Sequence, residues 1–480
     1  MNIQILKEIR PYSFIELQIM FGKTNEETRE ILNSLSLMNI VRRLSKDLSN
    51  VELYELIDSE NLSDLNYQME GNIYVFKFVG IIVVSDICLI LYPKYFDNYL
   101  KDSKNNFKIL KKLISVIRKY ESKEQSIGLD DHLNNENFNF LSLVLEMIDS
   151  YHEYGLYSND KQIIEYNGDG EILWEKTINE STAYFSNNLP IYLDTFTTNQ
   201  ENNEQDYFRR LHAAILTESC EKLKDILTIL EINQVNISSE SLEKFGTKDY
   251  ILYKLNQELS TQFITHKQDI LKSLRRFIQE DTSKTVSNKI SFVGTNSFNL
   301  VWEDVCSVVF NDSLDKSLKE IGLQYSRFDK QSMLLSDVIT KPKWLHKESN
   351  VTHTASKTLI PDIISINNDT LSIYDAKYYK IILNEDELKN NPGVGDVTKQ
   401  YLYELAYKEF ALENNLNINR NAFLMPTEED KAIRLGTVSM ELFKVYNQLN
   451  FNDIEVILLP HEKIYDSYLE NVKLDNNEIF

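Results

Sequence analysis

Residues 359–377 read Leu359-Ile360-Pro361-Asp362-Ile363-Ile364-Ser365-Ile366-Asn367-Asn368-Asp369-Thr370-Leu371-Ser372-Ile373-Tyr374-Asp375-Ala376-Lys377. Two apolar runs, Ile363–Ile366 and Leu371–Tyr374, flank the polar stretch Asn367–Thr370, which is the pattern of a β-hairpin. With Asn368 and Asp369 as a two-residue turn, cross-strand pairing sets Asp362 directly opposite Asp375. Side chains alternate along a strand, so Lys377 shares the face of Asp375. Two facing carboxylates repel one another unless positive charge lies between them. A divalent cation supplies that charge, and carboxylate oxygens beside a phosphate suit Mg²⁺, with Mn²⁺ as the substitute.

Asp362 and Asp375 are therefore the expected metal ligands. Lys377 is the group expected to orient or deprotonate an attacking water and to offset developing charge. A lysine beside a metal in a partly buried site is expected to have a lowered pKa. A solvated hairpin carrying surface charges is the competing reading. Upstream, residues 298–310 have the apolar spacing of a helix that points Glu303 toward the hairpin as an extra catalytic acid. Downstream, residues 396–407 form a second helix with Lys399, Gln400, Tyr403 and Tyr407 near one side. Amide, phenol and ammonium groups there are candidates for holding a DNA backbone phosphate. Either helix would read the same if it only packed on the sheet.

The remainder of the chain is organised around this segment. A length of 480 residues exceeds one ordinary core, so several domains are expected. Residues 1–60 read as a winged-helix-like module, with three short helices and then a strand. Ile3, Leu6 and Ile9 mark the first helix, Phe14, Leu17 and Met20 the second, and the capping box Thr24-x-x-Glu27 opens the third. Residues 61–200 read as a mixed β-rich and α domain for partner or DNA contact. Its Val79–Tyr92 stretch is divided into two strands at Ser85-Asp86, and a strand pair surrounds Gly168–Glu175. The polar run Asp194–Asp206 reads as a loop or linker. Residues 201–285 read as helical, and 286–480 as an α/β domain running helix, strand, strand, helix, strand. The fold class expected is α+β and multidomain.

Charge restricts the function classes. Lys and Arg total 51 against 73 Asp and Glu, a net charge of −22. A protein that binds DNA by broad phosphate neutralisation is usually basic, so contact here must be a local patch or be supplied by a partner. No apolar run is long enough to span a membrane, and the first residues lack a signal-peptide pattern. Cys88, Cys220 and Cys306 are far apart in sequence and form no CxxC pair, which fits a reducing cytoplasm.

Several blocks together carry a family resemblance. They are Val79-Gly-Ile-Ile-Val-Val, Leu91-Tyr-Pro93-Lys94, Gly168-x-Gly170-Glu171-Ile-Leu-Trp174-Glu175-Lys176-Thr177, Trp302-Glu303, Pro361-Asp362, Asp375-Ala-Lys377 and Lys399-Gln400-Tyr401. The C-terminal third resembles a PD-(D/E)XK, restriction-endonuclease-like domain, and the whole chain resembles the LlaJI family of restriction endonucleases, relatives of the McrC nuclease subunit. The resemblance implies Mg²⁺-dependent cleavage of double-stranded DNA in an anti-phage restriction system. It further implies an AAA+ GTPase partner of the McrB type, which would also account for the acidic charge. Cutting both strands requires two active sites, so dimerisation is expected. Tyr403 and Tyr407 lie three and seven residues after Gln400, which departs from a QxxxY pattern.

Rival readings remain. A non-catalytic DNA- or partner-binding regulator could keep a degenerate nuclease fold, although a scaffold has no reason to retain repelling carboxylates. An RNA-cleaving effector of the same fold is the third reading. Gly22-Lys23-Thr24 has the tail of a phosphate-binding loop but no glycine at position 17 and no preceding strand, so NTP hydrolysis is not expected.

Overall fold

The computed structural model describes residues 1–44, 73–98, 103–127, 140–187, 189–202, 204–280, 290–327, 332–444 and 451–474. At its start Asn2 and Gln4 alternate with Ile3 and Ile5, and Asn2–Lys7 is strand β1, not the expected first helix. Threefold apolar spacing by itself favours a helix, and pairing with a distant strand overrides it. Ile9, with φ 61, ends the strand in the left-handed region. There follow β2 (Pro11–Ser13), α1 (Phe14–Phe21), α2 (Asn25–Leu37), β3 (Val41–Leu44), β4 (Ile73–Phe76), β5 (Val79–Val84) and β6 (Ile87–Tyr92).

Gly22 closes α1 at φ 63, its N–H donating to the Gln18 and Ile19 carbonyls. Thr24 and Glu27 form the expected capping box, with Thr24 N–H on Glu27 Oε2 at 2.9 Å and Glu27 N–H on Thr24 Oγ1 at 3.3 Å. Gly22-Lys23-Thr24 is thus a turn between helices. Strands β2, β4 and β3 make an antiparallel sheet in that order. Residues 45–60 of the expected N-terminal module lie outside the described residues.

Strands β5 and β6 are buried along their whole length, as continuous apolar runs require. They turn at Ser85, φ 56, where two strands were expected. Parallel β1 flanks β6, and β7 (Ile290–Thr295) flanks β5 antiparallel. Strand β7 was not expected from the sequence. Its Gly294 faces Gly80, and a Cβ on either residue would stand 2.2 Å from a backbone oxygen of the opposite strand.

The second large sheet contains β8 (Ile363–Asn367), β9 (Thr370–Ala376), β10 (Asn417–Thr427), β11 (Ile433–Val438) and β12 (Ile454–Pro460), in the order β8-β9-β10-β12-β11. The hairpin has the expected register, Ile363 opposite Tyr374 and Asn367 opposite Thr370, with Asn368 at φ 51 in the turn. Strands β9 and β10 are parallel, so the chain between them must cross over. That crossover contains α5, numbered after α3 (Ser103–Ile127) and α4 (Phe298–Val309), and it spans Val394–Glu413. Tyr403, Tyr407 and Phe410 of α5 pack with Ile364, Leu371 and Ile373, while Val397 and Tyr401 pack with Phe423 and Met425. Buried Val301, Trp302, Val305 and Val309 make the apolar face of α4. After β12 comes α6 (His461–Leu469).

These elements belong to one compact unit, Met1–Glu136 with Asn288–Phe480; the other is Asn137–Ser287. In the second unit Asp160–Tyr166, Phe196–Asn202 and Glu171–Ile172 form a three-stranded sheet in that order. The strand at Phe196–Asn202 corrects the expectation of a linker over 194–206. Strand pairing uses backbone groups, so a run of polar side chains does not prevent it. Asp160–Tyr166 and the short strand Glu171–Ile172 lie either side of Gly168, each paired with Phe196–Asn202, and Trp174–Glu180 is helical. The expected helices follow over residues 207–280. Cys88, Cys220 and Cys306 are buried thiols. Among the described residues no helix is long and apolar enough to cross a membrane.

Candidate active site

The hairpin register carries Asp362 and Asp375 to one end of the β8–β9 pair. Asp362 Oδ2 accepts the Ala376 N–H at 3.0 Å. Burial, then the neighbouring Asp375 carboxyl, hold Asp362 well above the usual carboxylate range.

Lys377 Nζ lies 3.0 Å from Asp375 Oδ2 and 3.5 Å from Asp396 Oδ1. Burial pulls the ammonium down, but the charges of Asp375 and Asp396 outweigh it and the pKa is raised. This differs from the expectation of a lowered lysine: the carboxylates that surround it favour its charged form. Glu303, on α4, is brought into the same field. Burial raises its pKa and Asp375 adds to the rise, while Lys377 opposes both.

Three contacts hold this cluster from behind. The Lys377 backbone N–H donates to the Leu424 carbonyl of β10 at 2.9 Å. The fully buried Trp302 donates its Nε1–H to the same oxygen at 3.1 Å. Tyr403 donates its hydroxyl to the Ile360 carbonyl at 3.0 Å, two residues before Asp362. Burial pushes Tyr403 up to about 12, and the Asp375 and Asp362 charges add to it.

The three residues expected to contact DNA are separated by the geometry of α5. Lys399 is exposed to solvent. Gln400 is fully buried, with Nε2 3.5 Å from the Ala422 carbonyl and Oε1 without a hydrogen-bond partner. Tyr403 turns to the loop that carries Asp362. Successive helical residues point about 100° apart, so adjacent Lys399 and Gln400 cannot share a face. Gln400 therefore does not present its amide to a phosphate in this arrangement.

Asp396 was not foreseen as part of the cluster. Its Oδ2 accepts the Gly393 N–H at 3.2 Å, capping α5, while Oδ1 faces Lys377. The available signal was an acid in the first helical turn after a glycine.

Among the described residues no group of three or more His, Cys, Asp or Glu side chains is arranged to hold a metal ion. The donor chemistry at Asp362 and Asp375 nevertheless fits a divalent cation. Both are hard oxygen ligands, and the raised Asp362 pKa marks the place where positive charge is needed.

A family model described as LlaJI restriction endonuclease matches residues 78–461. The Type II restriction enzyme BsuMI component YdjA of Bacillus subtilis (strain 168) is 25% identical over 456 residues, covering 92% of this chain and 89% of that protein. A solved half-complex from a tetradecameric assembly of Thermococcus gammatolerans McrB AAA+ hexamers with bound McrC aligns at TM-score 0.38 and 14% identity, over 98% of this chain and 100% of that one. The cryo-EM structure of the Thermococcus gammatolerans McrBC complex aligns at TM-score 0.26 and 14% identity, over 65% of this chain and 88% of that one.

Proposed function

The chain belongs to the LlaJI restriction endonuclease family, and on that premise we propose that it is the metal-dependent, DNA-cleaving component of an anti-phage restriction system. The observation that carries this is the shielded Asp362–Asp375–Lys377 cluster, a pair of carboxyls that need a cation beside an ammonium held in place. The order α4, β8, β9, α5, β10 around it supports the PD-(D/E)XK reading of residues 286–480. Two helices between the strands of the antiparallel β2-β4-β3 sheet support a winged-helix-like N-terminus.

Asp362 and Asp375 would hold Mg²⁺ or Mn²⁺, which when bound polarises the scissile phosphate and acidifies a water. Lys377, fixed as a cation between Asp375 and Asp396, stabilises negative charge growing on the phosphoryl oxygens. Glu303, already raised by burial, is the carboxyl suited to take up a proton near that centre. Lys399, exposed on α5, meets a backbone phosphate.

The acidic balance supports a division of labour in which a McrB-like AAA+ GTPase holds the duplex and activates this subunit in the cytoplasm. The Bacillus subtilis relative carries the word component in its name, in keeping with a multisubunit enzyme. In the second unit Tyr166, Trp174, Ile178, Phe185 and Leu189 are exposed, a density of apolar side chains that suits partner contact. Paired copies would supply the second active site for a double-strand break.

A substrate panel tests the reading. The full chain with its accompanying NTPase, GTP and Mg²⁺ is expected to cut duplex DNA, and EDTA to stop it. Cleavage of RNA in preference to duplex DNA would replace this reading with the effector alternative.

A further inference from the structure

The exit of β9 is tied to the N-terminal sheet by a buried polar cluster that the hydrolytic scheme does not use. Tyr378 follows Lys377 directly, and its hydroxyl donates to Glu8 Oε2 at 2.5 Å. Glu8 is 7% exposed and stands just beyond β1. The same oxygen accepts the Lys94 backbone N–H at 3.2 Å, and that N–H also lies 3.2 Å from the Tyr378 hydroxyl. The Lys94 ammonium sits 4.7 Å from the Tyr378 ring centroid and 5.4 Å from that of Tyr379. Tyr378 also packs edge-on to Tyr95 and against Phe298, the first residue of α4, which carries Glu303. Two residues on, Lys380 pairs with Asp97, which takes Lys7 Nζ at 2.7 Å as well.

Burying a carboxylate is costly unless hydrogen bonds and a cation compensate it, and an apolar side chain would fill the same space without that cost. A directional cluster at this place has a purpose that packing alone does not explain. We propose that Glu8, Lys94 and Tyr378 are positioning residues that hold Lys377 at its station, so that the N-terminal segment completes the nuclease centre. The proposal rests on the reading of Lys377 as part of that centre. Tyr378 fixes the chain on the far side of Lys377 from β9, while the Leu424 carbonyl fixes its backbone N–H. A displacement of about 1 Å of a catalytic group is enough to cost on the order of 100-fold in rate.

The test uses the full chain under the conditions in which the native protein cleaves DNA. Single-turnover measurements with enzyme in excess separate the rate constant from the fraction of active protein. Tyr378→Phe and Glu8→Leu are expected to slow the rate constant about tenfold, with the extent of cutting unchanged. Glu8→Gln keeps an acceptor oxygen and is expected to stay within about threefold of native. Acylation of Lys377, followed by mass spectrometry, is expected to rise in Tyr378→Phe as the side chain loses its fixed partners. Should Glu8→Leu fail to fold, Tyr378→Phe decides alone. Native rate and native Lys377 labelling in Tyr378→Phe would overturn the positioning role. A native chain that does not cleave, yet whose Lys377 labelling rises in Tyr378→Phe, would sink the nuclease reading and leave the positioning role standing.

Discussion

Trp302 and Lys377 share one acceptor, the Leu424 carbonyl, which receives the indole Nε1–H at 3.1 Å and the Lys377 backbone N–H at 2.9 Å. The oxygen belongs to β10, the indole to α4 and the lysine to the end of β9, so three elements are registered at one atom. Trp302 also buries its whole side chain.

Trp302→Phe removes one buried hydrogen bond and leaves part of the indole volume empty. It is expected to cost about 2–3 kcal/mol in stability, and to lower the cleavage rate by loosening the β9 exit. Urea denaturation checks the first effect. A loss under about 0.5 kcal/mol would mean that the shared acceptor contributes little.

The Asp362–Asp375 pair predicts a pH dependence. Asp362 has a raised pKa in the folded chain, so the folded state keeps a proton that the unfolded state releases above the ordinary carboxylate range. Stability therefore declines as pH rises from that range toward the raised value. In metal-free buffer Asp362→Asn is expected to melt about 1–3 °C above native near pH 8, with the two curves converging near about pH 4. Added Mg²⁺ should raise the melting temperature of the native chain and not that of the variant. A variant that melts below native at the higher pH would contradict a raised Asp362 pKa.

Gly80 and Gly294 make the contact through which β7 closes on β5. An alanine at either position sets a Cβ 2.2 Å from a backbone oxygen. Each substitution is expected to cost about 3 kcal/mol or more. Gly322, at φ 68 with open space around its Cβ position, should lose only about 1 kcal/mol as alanine. Chemical denaturation of the three variants compares them, and equal losses would show that the close approach is not the controlling feature.

Much of the hairpin that carries Asp362 and Asp375 could be read in the sequence because its information is local. The Asn368-Asp369 turn and the alternation on either side determine the register, and the register determines that Asp362 meets Asp375. Glu303 was legible for a similar reason, through helical spacing. What could not be read depended on partners remote in sequence. Strand β1 has the apolar spacing of a helix and is a strand because it pairs with β6, and β7 pairs with β5, some 200 residues earlier. Asp375 raises Lys377 most, and Asp396, whose distance from it only the crossover helix defines, adds to that rise. Gln400 was misplaced because amide chemistry says nothing about which helical face is buried.

The helix α5 offers a contrast between neighbours. Lys399→Ala is expected to weaken association with duplex DNA and to reduce the salt slope by about 1. Gln400→Leu replaces a buried amide that has an unpartnered oxygen, so it should leave the salt slope unchanged. Fluorescence anisotropy over a range of salt measures both. A change of slope in the Gln400 variant alone would reverse the assignment.

The central claim is that Lys377, between Asp375 and Asp396, serves phosphodiester hydrolysis at the Asp362–Asp375 pair. Its most direct test is plasmid cleavage by the full chain with its accompanying NTPase, GTP and Mg²⁺, native against Lys377→Ala. The account predicts metal-dependent cutting that falls by at least about 100-fold in the variant, while both chains melt cooperatively and bind DNA alike. Equal cutting by the two chains, or none by either under any combination of nucleotide and metal, would contradict it.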